Sequence, residues 1–245
     1  MKKWAVAYLI FFHALAWPAD LTVSAAASLT QAFQDIGAQF ESLNPGTKVK
    51  FNFGASGALM QQIANGAPVD VFASADTDTM DKAVAKGVLA LADVKVFTTN
   101  KLVLIAPAPS TANIQQLFDL KRSEIKRIAM GTPASVPAGH YAQMTLEKMG
   151  LWVQVKDKII STSNVRQALD YVARDEVDAG FVYASDAQLM SGKVKVLIAV
   201  PTVSPIQYPI AKLSASAHPD LASKFVAFVQ SPSGQAVLMK FGFGN

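Results

Sequence analysis

From residue 29 onward apolar residues return every three or four positions: Leu29, Phe33, Ile36, Phe40 and Leu43. That period puts them on one face of a helix that can bury the stripe. The stretch before it, LTVS at 21–24, reads as a strand that runs into three alanines and Ser28. Asn44, Pro45 and Gly46 break the helix, and TKVKFNF at 47–53 alternates apolar and polar residues as a strand does. A helix follows in SGALMQQIANG (56–66), a strand in VDVFAS (69–74) and a helix in DTMDKAVAKGVL (78–89). A second series then begins. LVLIA (102–106) and IKRIAMG (125–131) read as strands, PAGHYAQMTLEKMG (137–150) and NVRQALDYVAR (164–174) as helices, DAGFVYAS (178–185) and KVKVLIAV (193–200) as strands. The chain closes with YPIAKL (208–213) and two helices, at 220–230 and 233–242. Strands alternating with helices predict α/β layers with largely parallel sheets. VDVFASAD (69–76) and VDAGFVYASDA (177–187) echo one another, each ending in a small-residue turn with an aspartate. Two sheets of similar build would explain the echo, and so would chance.

Composition narrows the class. Half of the 245 residues are hydrophobic and 16% are charged, a balance suited to a packed core rather than to disorder. The first sixteen residues, MKKWAVAYLIFFHALA, run from a basic start through an apolar stretch to Ala14, Leu15 and Ala16, the order of a secretory signal. Cleavage is expected after residue 16, with residue 19 as the second choice. The alanines at 25–27 also spell A-x-A, but a cut there would remove the first strand. The apolar stretch is too short to span a bilayer, which takes about 20 residues. A protein soluble outside the cytoplasm is therefore expected. Against 18 acidic residues stand 22 basic ones, of which Lys2 and Lys3 fall in the leader, and no basic run occurs, so nucleic acid is excluded as a partner. Cysteine is absent, which removes disulfides, thiol catalysis, structural zinc and a cysteine-borne lipid anchor.

Candidate chemistry gathers at helix starts. Ser28 precedes the first helical stripe with Gln31 three residues on; Ser56 opens the second between Gly54 and Gly57; Val136, Pro137, Ala138 and Gly139 open another; Ser163, Asn164 and Val165 open a fourth, with Gln167 following. Tyr183 ends a strand in GFVYAS. Serine and asparagine are ordinary helix caps, and Ser-x-x-Gln is a capping box. In open α/β sheets, however, ligands sit at the carboxyl ends of strands, where helix N-termini offer free N–H groups and the positive end of the dipole to anions. Ser28 is expected to do both, capping its helix while donating its proton outward. Tyr183 also admits a plain core reading. Asp70 and Asp76 read as turn and cap residues rather than metal ligands. A serine hydrolase is a remote alternative, since GASG is not the G-x-S-x-G elbow and His13, His140 and His218 stand near no candidate nucleophile in sequence. No dinucleotide, P-loop or HExxH motif occurs, and no enzyme activity is expected.

Taken in order and spacing, AAASLTQAFQDI (25–36), FGASGALMQQIANGAPVDVFASAD (53–76), NKLVLIAP (100–107), VPAGHYA (136–142), NVRQAL (164–169) and GFVYASDA (180–187) resemble the periplasmic molybdate-binding proteins of ABC importers, the ModA family. The resemblance covers 20–245. It implies the two-lobed periplasmic-binding-protein fold of type II, each lobe a mostly parallel sheet flanked by helices. Lobe 1 would comprise 20–98 plus 205–245 and lobe 2 99–204, with crossovers near 98–101 and 201–205 as the hinge. It also implies that molybdate, and tungstate with it, is held by the hydroxyls and N–H groups of Ser28 and Ser56, the N–H groups of Ala138 and Val165, and the Tyr183 phenol. No cofactor and no bare metal cation are implied, since molybdenum is bound as its oxyanion. A membrane ABC permease is the implied partner of a monomeric protein. One departure is GASGAL, where related sequences often carry a run of serines, so Ala55 and Gly57 offer fewer hydroxyls. All five positions present neutral donors and no obligatory acceptor, which favours fully deprotonated tetrahedral dianions and leaves sulfate as an alternative ligand.

Overall fold

The computed structural model describes residues 19–244. The leader read at 1–16 lies outside them. Strands β1 (Ala19–Ala26), β2 (Thr47–Gly54), β3 (Val71–Ala73), β4 (Lys95–Asn100) and β10 (Ile206–Lys212) make one five-stranded sheet in the order β2-β1-β3-β10-β4. Strands β5 (Leu102–Pro107), β6 (Ile128–Gly131), β7 (Ile159–Thr162), β8 (Ala179–Tyr183) and β9 (Val194–Ala199) make a second in the order β7-β6-β8-β5-β9. Helices α1 (Thr30–Leu43), α2 (Ser56–Ala64) and α3 (Thr77–Ala85) follow β1, β2 and β3. In the second half α4 (Pro137–Lys148), the short α5 (Trp152–Val155), α6 (Val165–Ala173) and α7 (Ala184–Leu189) follow β6, β7 and β8. The last helices, α8 (Pro219–Gln230) and α9 (Pro232–Lys240), return to the first sheet.

The two sheets have the same build. Counting only the strands that share a direction, each places its second at the edge, then its first, its third, the reversed strand and its fourth. The echo between 69–76 and 177–187 thus has a structural cause, because β3 and β8 occupy the same place in the two sheets. Four strands of each sheet share one direction. The reversed ones, β5 and β10, are the strands that enter by crossover. β4 leaves the first sheet at the carboxyl end of its parallel strands and passes through Lys101 alone into β5 at the corresponding end of the second. A strand entering from that end must run backwards. Residues 200–205 make the return crossing from β9 to β10 in the same way.

Packing follows the stripes. Leu29, Phe33, Ile36 and Phe40 are buried, and Phe33 meets Phe51, Phe97 and Phe225 with ring centroids 5.8–6.2 Å apart. Leu43, the last residue of the predicted stripe, is exposed at the end of α1. The sheet order brings the carboxyl ends of β1, β2 and β3 to face those of β6, β7 and β8. Among the described residues no helix is long and apolar enough to cross a membrane.

Candidate functional site

A small cavity, about 10 Å³ in volume, lies between the two sets of strand ends. Ser28, Ser56, Ala138, Val165 and Tyr183 all line it, together with Asn164, Ala75 and the Val136–Pro137 step. The first two stand on the first half and the other three on the second.

Neither serine is a cap, contrary to the sequence reading. A 3-10 turn, Ala27–Leu29, intervenes between β1 and α1, so the helix starts at Thr30 with Leu29 before it and no side-chain cap. The turn moves Ser28 upstream of the first helical N–H groups, and its Oγ lies 3.0 Å from the Tyr208 hydroxyl instead. The expected box with Gln31 is not made, and the Gln31 Oε1 is buried with no partner among the described residues. Ser56 is the first residue of α2 rather than its cap; Ala55 holds that place, and the Ser56 Oγ accepts from the Ala75 N–H at 3.0 Å. Asn164 does cap, accepting from the Gln167 N–H at 3.0 Å. The Gln167 Oε1 reaches back to the Ser163 N–H at 2.6 Å, one residue earlier than a standard box.

These starts leave donors facing the cavity. The first helical bond of α4 is His140 N–H to Val136 O and that of α6 is Ala168 N–H to Asn164 O, so the N–H groups of Ala138 and Val165 have no acceptor within their helices. A Cβ on Gly139 would lie 1.8 Å from the Gly131 carbonyl oxygen, so only glycine lets α4 start this close to β6. Across the cavity, the Gly57 N–H donates to the Ser135 carbonyl at 3.0 Å, joining α2 to the loop before α4. A Cβ at 57 would stand 2.9 Å from the Ser135 backbone. The Tyr183 hydroxyl is buried and, among the described residues, has no hydrogen-bond partner. Burial pushes its pKa well above the ordinary phenol value, so the group keeps its proton.

The remaining helix starts carry the protein's own carboxylates. Three residues past β3, Asp76 caps α3 and accepts from the Thr79 N–H at 3.2 Å and the Ser74 Oγ at 3.0 Å. Three residues past β8, Asp186 sits in the first turn of α7 and accepts from the Tyr183 N–H at 3.2 Å. Burial raises the pKa of both acids. The Asp186 carboxylate faces the Arg166 Nε at 2.7 Å, which opposes that rise. Arg166 also donates from Nη2 to the Ser28 carbonyl at 2.9 Å, across the boundary between the halves. The cation nearest the cavity is thus occupied. Asp70 ties loops, accepting from the Thr22 N–H at 2.8 Å and the Ser216 hydroxyl at 2.7 Å. His140 lies 3.5 Å from Asp78, and His218 precedes α8. The hydroxyl partners of Ser28 and Ser56 are Tyr208 and the Ala75 N–H, which is not a nucleophile–base arrangement.

Sequence reasoning did not find Arg166, Asp186, Tyr208 or Asn100. The first two lie inside NVRQAL and GFVYASDA, and a buried pair linking two such motifs was there to be sought. Tyr208 sits in an alternating strand and carries the pattern of a core aromatic.

A family model described as bacterial extracellular solute-binding protein matches residues 21–244. Molybdate-binding protein ModA of Escherichia coli is 36% identical over 99% of this chain and 98% of its own length. Molybdate-binding protein ModA of Haemophilus influenzae is 36% identical over 92% and 90%. The solved periplasmic molybdate-binding protein of Azotobacter vinelandii superposes with a TM-score of 0.80 at 25% identity, covering 91% of this chain and 98% of the other.

Proposed function

The chain belongs to the family of bacterial extracellular solute-binding proteins, and from that premise we propose that it captures molybdate, and tungstate with it, between two lobes and delivers the anion to a membrane ABC permease. The lobes are 20–98 with 205–245, and 99–204, hinged at the two crossovers; the mature protein is a periplasmic monomer freed of residues 1–16. Ser28, Ser56, Ala138, Val165 and Tyr183 supply the donors. The 36% identity to molybdate-binding proteins over nearly the whole chain supports the choice of ligand.

The observation that carries the reading at the site is the Tyr183 hydroxyl, a buried donor with no partner among the described residues, on the wall of a small cavity. Leaving a buried donor unpaired costs about 1–3 kcal/mol, and an anionic acceptor removes that cost. Helix N-termini from both sides direct N–H groups to the same space, and such groups bind anions without a formal counter-charge. Because the contacts come from both halves, the anion favours the closed form directly. Donors without an obligatory acceptor among them select against protonated anions. Titration calorimetry with molybdate, tungstate, sulfate and phosphate tests the proposal. Molybdate and tungstate should bind well ahead of sulfate, and phosphate should be weakest. Equal affinity for sulfate and molybdate would overturn the ligand choice, and no binding of any oxyanion would overturn the function.

A further inference from the structure

Behind Ser28 a chain of buried polar groups runs through the crossover to the second half. Asn100, the last residue of β4, accepts the Lys101 N–H on Oδ1 at 2.9 Å. That bond fixes the amide orientation, because a backbone donor requires the carbonyl side. The Asn100 Nδ2 therefore points the other way, toward the Ser185 Oγ at 2.9 Å and the Tyr208 Oη at 3.4 Å, one hydrogen for each. The Tyr208 hydroxyl lies 3.0 Å from the Ser28 Oγ. Asn100, Tyr208, Ser185 and Ser28 are all buried.

We propose that Asn100 and Tyr208 are positioning residues that set the direction of the Ser28 hydroxyl and thereby the selectivity of the anion site. The inference rests on the reading of the cavity as an oxyanion site. Tyr208 receives a hydrogen from Asn100, and in the proposed polarity it passes its own to the Ser28 oxygen 3.0 Å away. Burial pushes the Tyr208 phenol well above its ordinary pKa, which keeps that hydrogen in place. With one lone pair of Ser28 filled by Tyr208, the Ser28 hydrogen is released to point into the cavity that Ser28 lines. The polarity runs Asn100 to Tyr208 to Ser28 to anion. Reversed, Ser28 would donate to Tyr208 and turn lone pairs toward the anion, a repulsive arrangement that a protonated anion alone could use. The chain thus holds Ser28 as a donor before the ligand arrives, and such coupled donors strengthen one another.

A double-mutant cycle read by molybdate titration tests this, with apo melting temperatures measured alongside. Tyr208→Phe keeps the ring that packs edge-on to Phe97, Tyr183 and Phe243 and removes only the hydroxyl. It should weaken molybdate binding by about 3–10-fold, the scale of a lost supporting hydrogen bond, and should lower the preference for molybdate over phosphate. Ser28→Ala should weaken molybdate by about 10–100-fold. In the Ser28→Ala background, Tyr208→Phe should change affinity by less than about twofold, because residues acting through one contact are not additive. Asn100→Asp is the second probe: its carboxylate draws the Tyr208 hydrogen, reverses the chain and weakens binding only while Ser28 is present. The inference is overturned if Tyr208→Phe leaves molybdate affinity unchanged, if its effect multiplies in full with that of Ser28→Ala, or if Asn100→Asp weakens both backgrounds equally. Failure of the wild-type protein to bind molybdate would overturn the function itself.

Discussion

At the scale of single residues, hydrogen-bond accounting separates binding groups from structural ones. Asp70, Asp76 and Asn164 have protein partners for their oxygens, and these partners explain them as ties and caps. Tyr183 has none. Removing its hydroxyl therefore has opposite effects on stability and on binding. Tyr183→Phe should raise the stability of the apo protein by about 1–3 kcal/mol, the cost of an unpaired buried donor. It should weaken molybdate binding by a similar free energy, about 10-fold or more. Thermal unfolding without ligand and a titration with it measure the two sides, and a destabilised apo protein with intact affinity would assign the phenol to packing. Ser56→Ala is a contrasting case. It removes an acceptor from the Ala75 N–H as well as a donor to the anion, so both stability and affinity should fall.

Elements explain what the sequence disclosed and what it hid. Periodicity located five of the six strands that end at the cavity and the helices that begin there, because both carry a buried face. It missed β4 and β7, short edge strands whose burial does not alternate cleanly. Four of the five cavity residues stood in the sequence at helix starts and Tyr183 at a strand end, and the family resemblance grouped them. Their local roles were not legible, because a 3-10 turn before α1 and a one-residue offset at α2 turn predicted caps into cavity-facing groups. Gly57 illustrates the same limit. In sequence it is one hydroxyl fewer; in the structure it lets α2 and the loop before α4 approach to a backbone hydrogen bond. Gly57→Ala puts a methyl group 2.9 Å from the Ser135 backbone only when the halves are together. It should leave apo stability unchanged or slightly raised, since alanine is the better helix former by about 1 kcal/mol. Molybdate affinity should fall by about 5–100-fold, the scale of an overpacked contact of 1–3 kcal/mol. Titration together with small-angle scattering at saturating molybdate measures this; wild-type affinity in the variant would show that the contact does not limit closure.

The whole molecule repeats one arrangement twice, and the repetition clarifies how charge is distributed. Each half has helix starts behind three parallel strands. In each, the third is occupied by an internal carboxylate, Asp76 or Asp186, while the first two face the cavity. The halves differ in that Asp186 is paired with Arg166, which also holds the Ser28 carbonyl of the opposite half. Arg166 therefore has two separable roles: neutralising Asp186 and fastening the halves. Arg166→Met alone strands a buried carboxylate and should cost about 3–5 kcal/mol of stability. Adding Asp186→Asn removes the stranded charge and keeps an acceptor for the Tyr183 N–H, so most of that stability should return. Molybdate affinity should not return with it, because Ser28 is no longer tied to the second half and the open form gains population. Melting temperatures and titrations of the single and double variants separate the two roles. If affinity recovers in step with stability, Arg166 acts only as the counter-ion of Asp186, and closure depends on the anion and the Gly57–Ser135 contact alone.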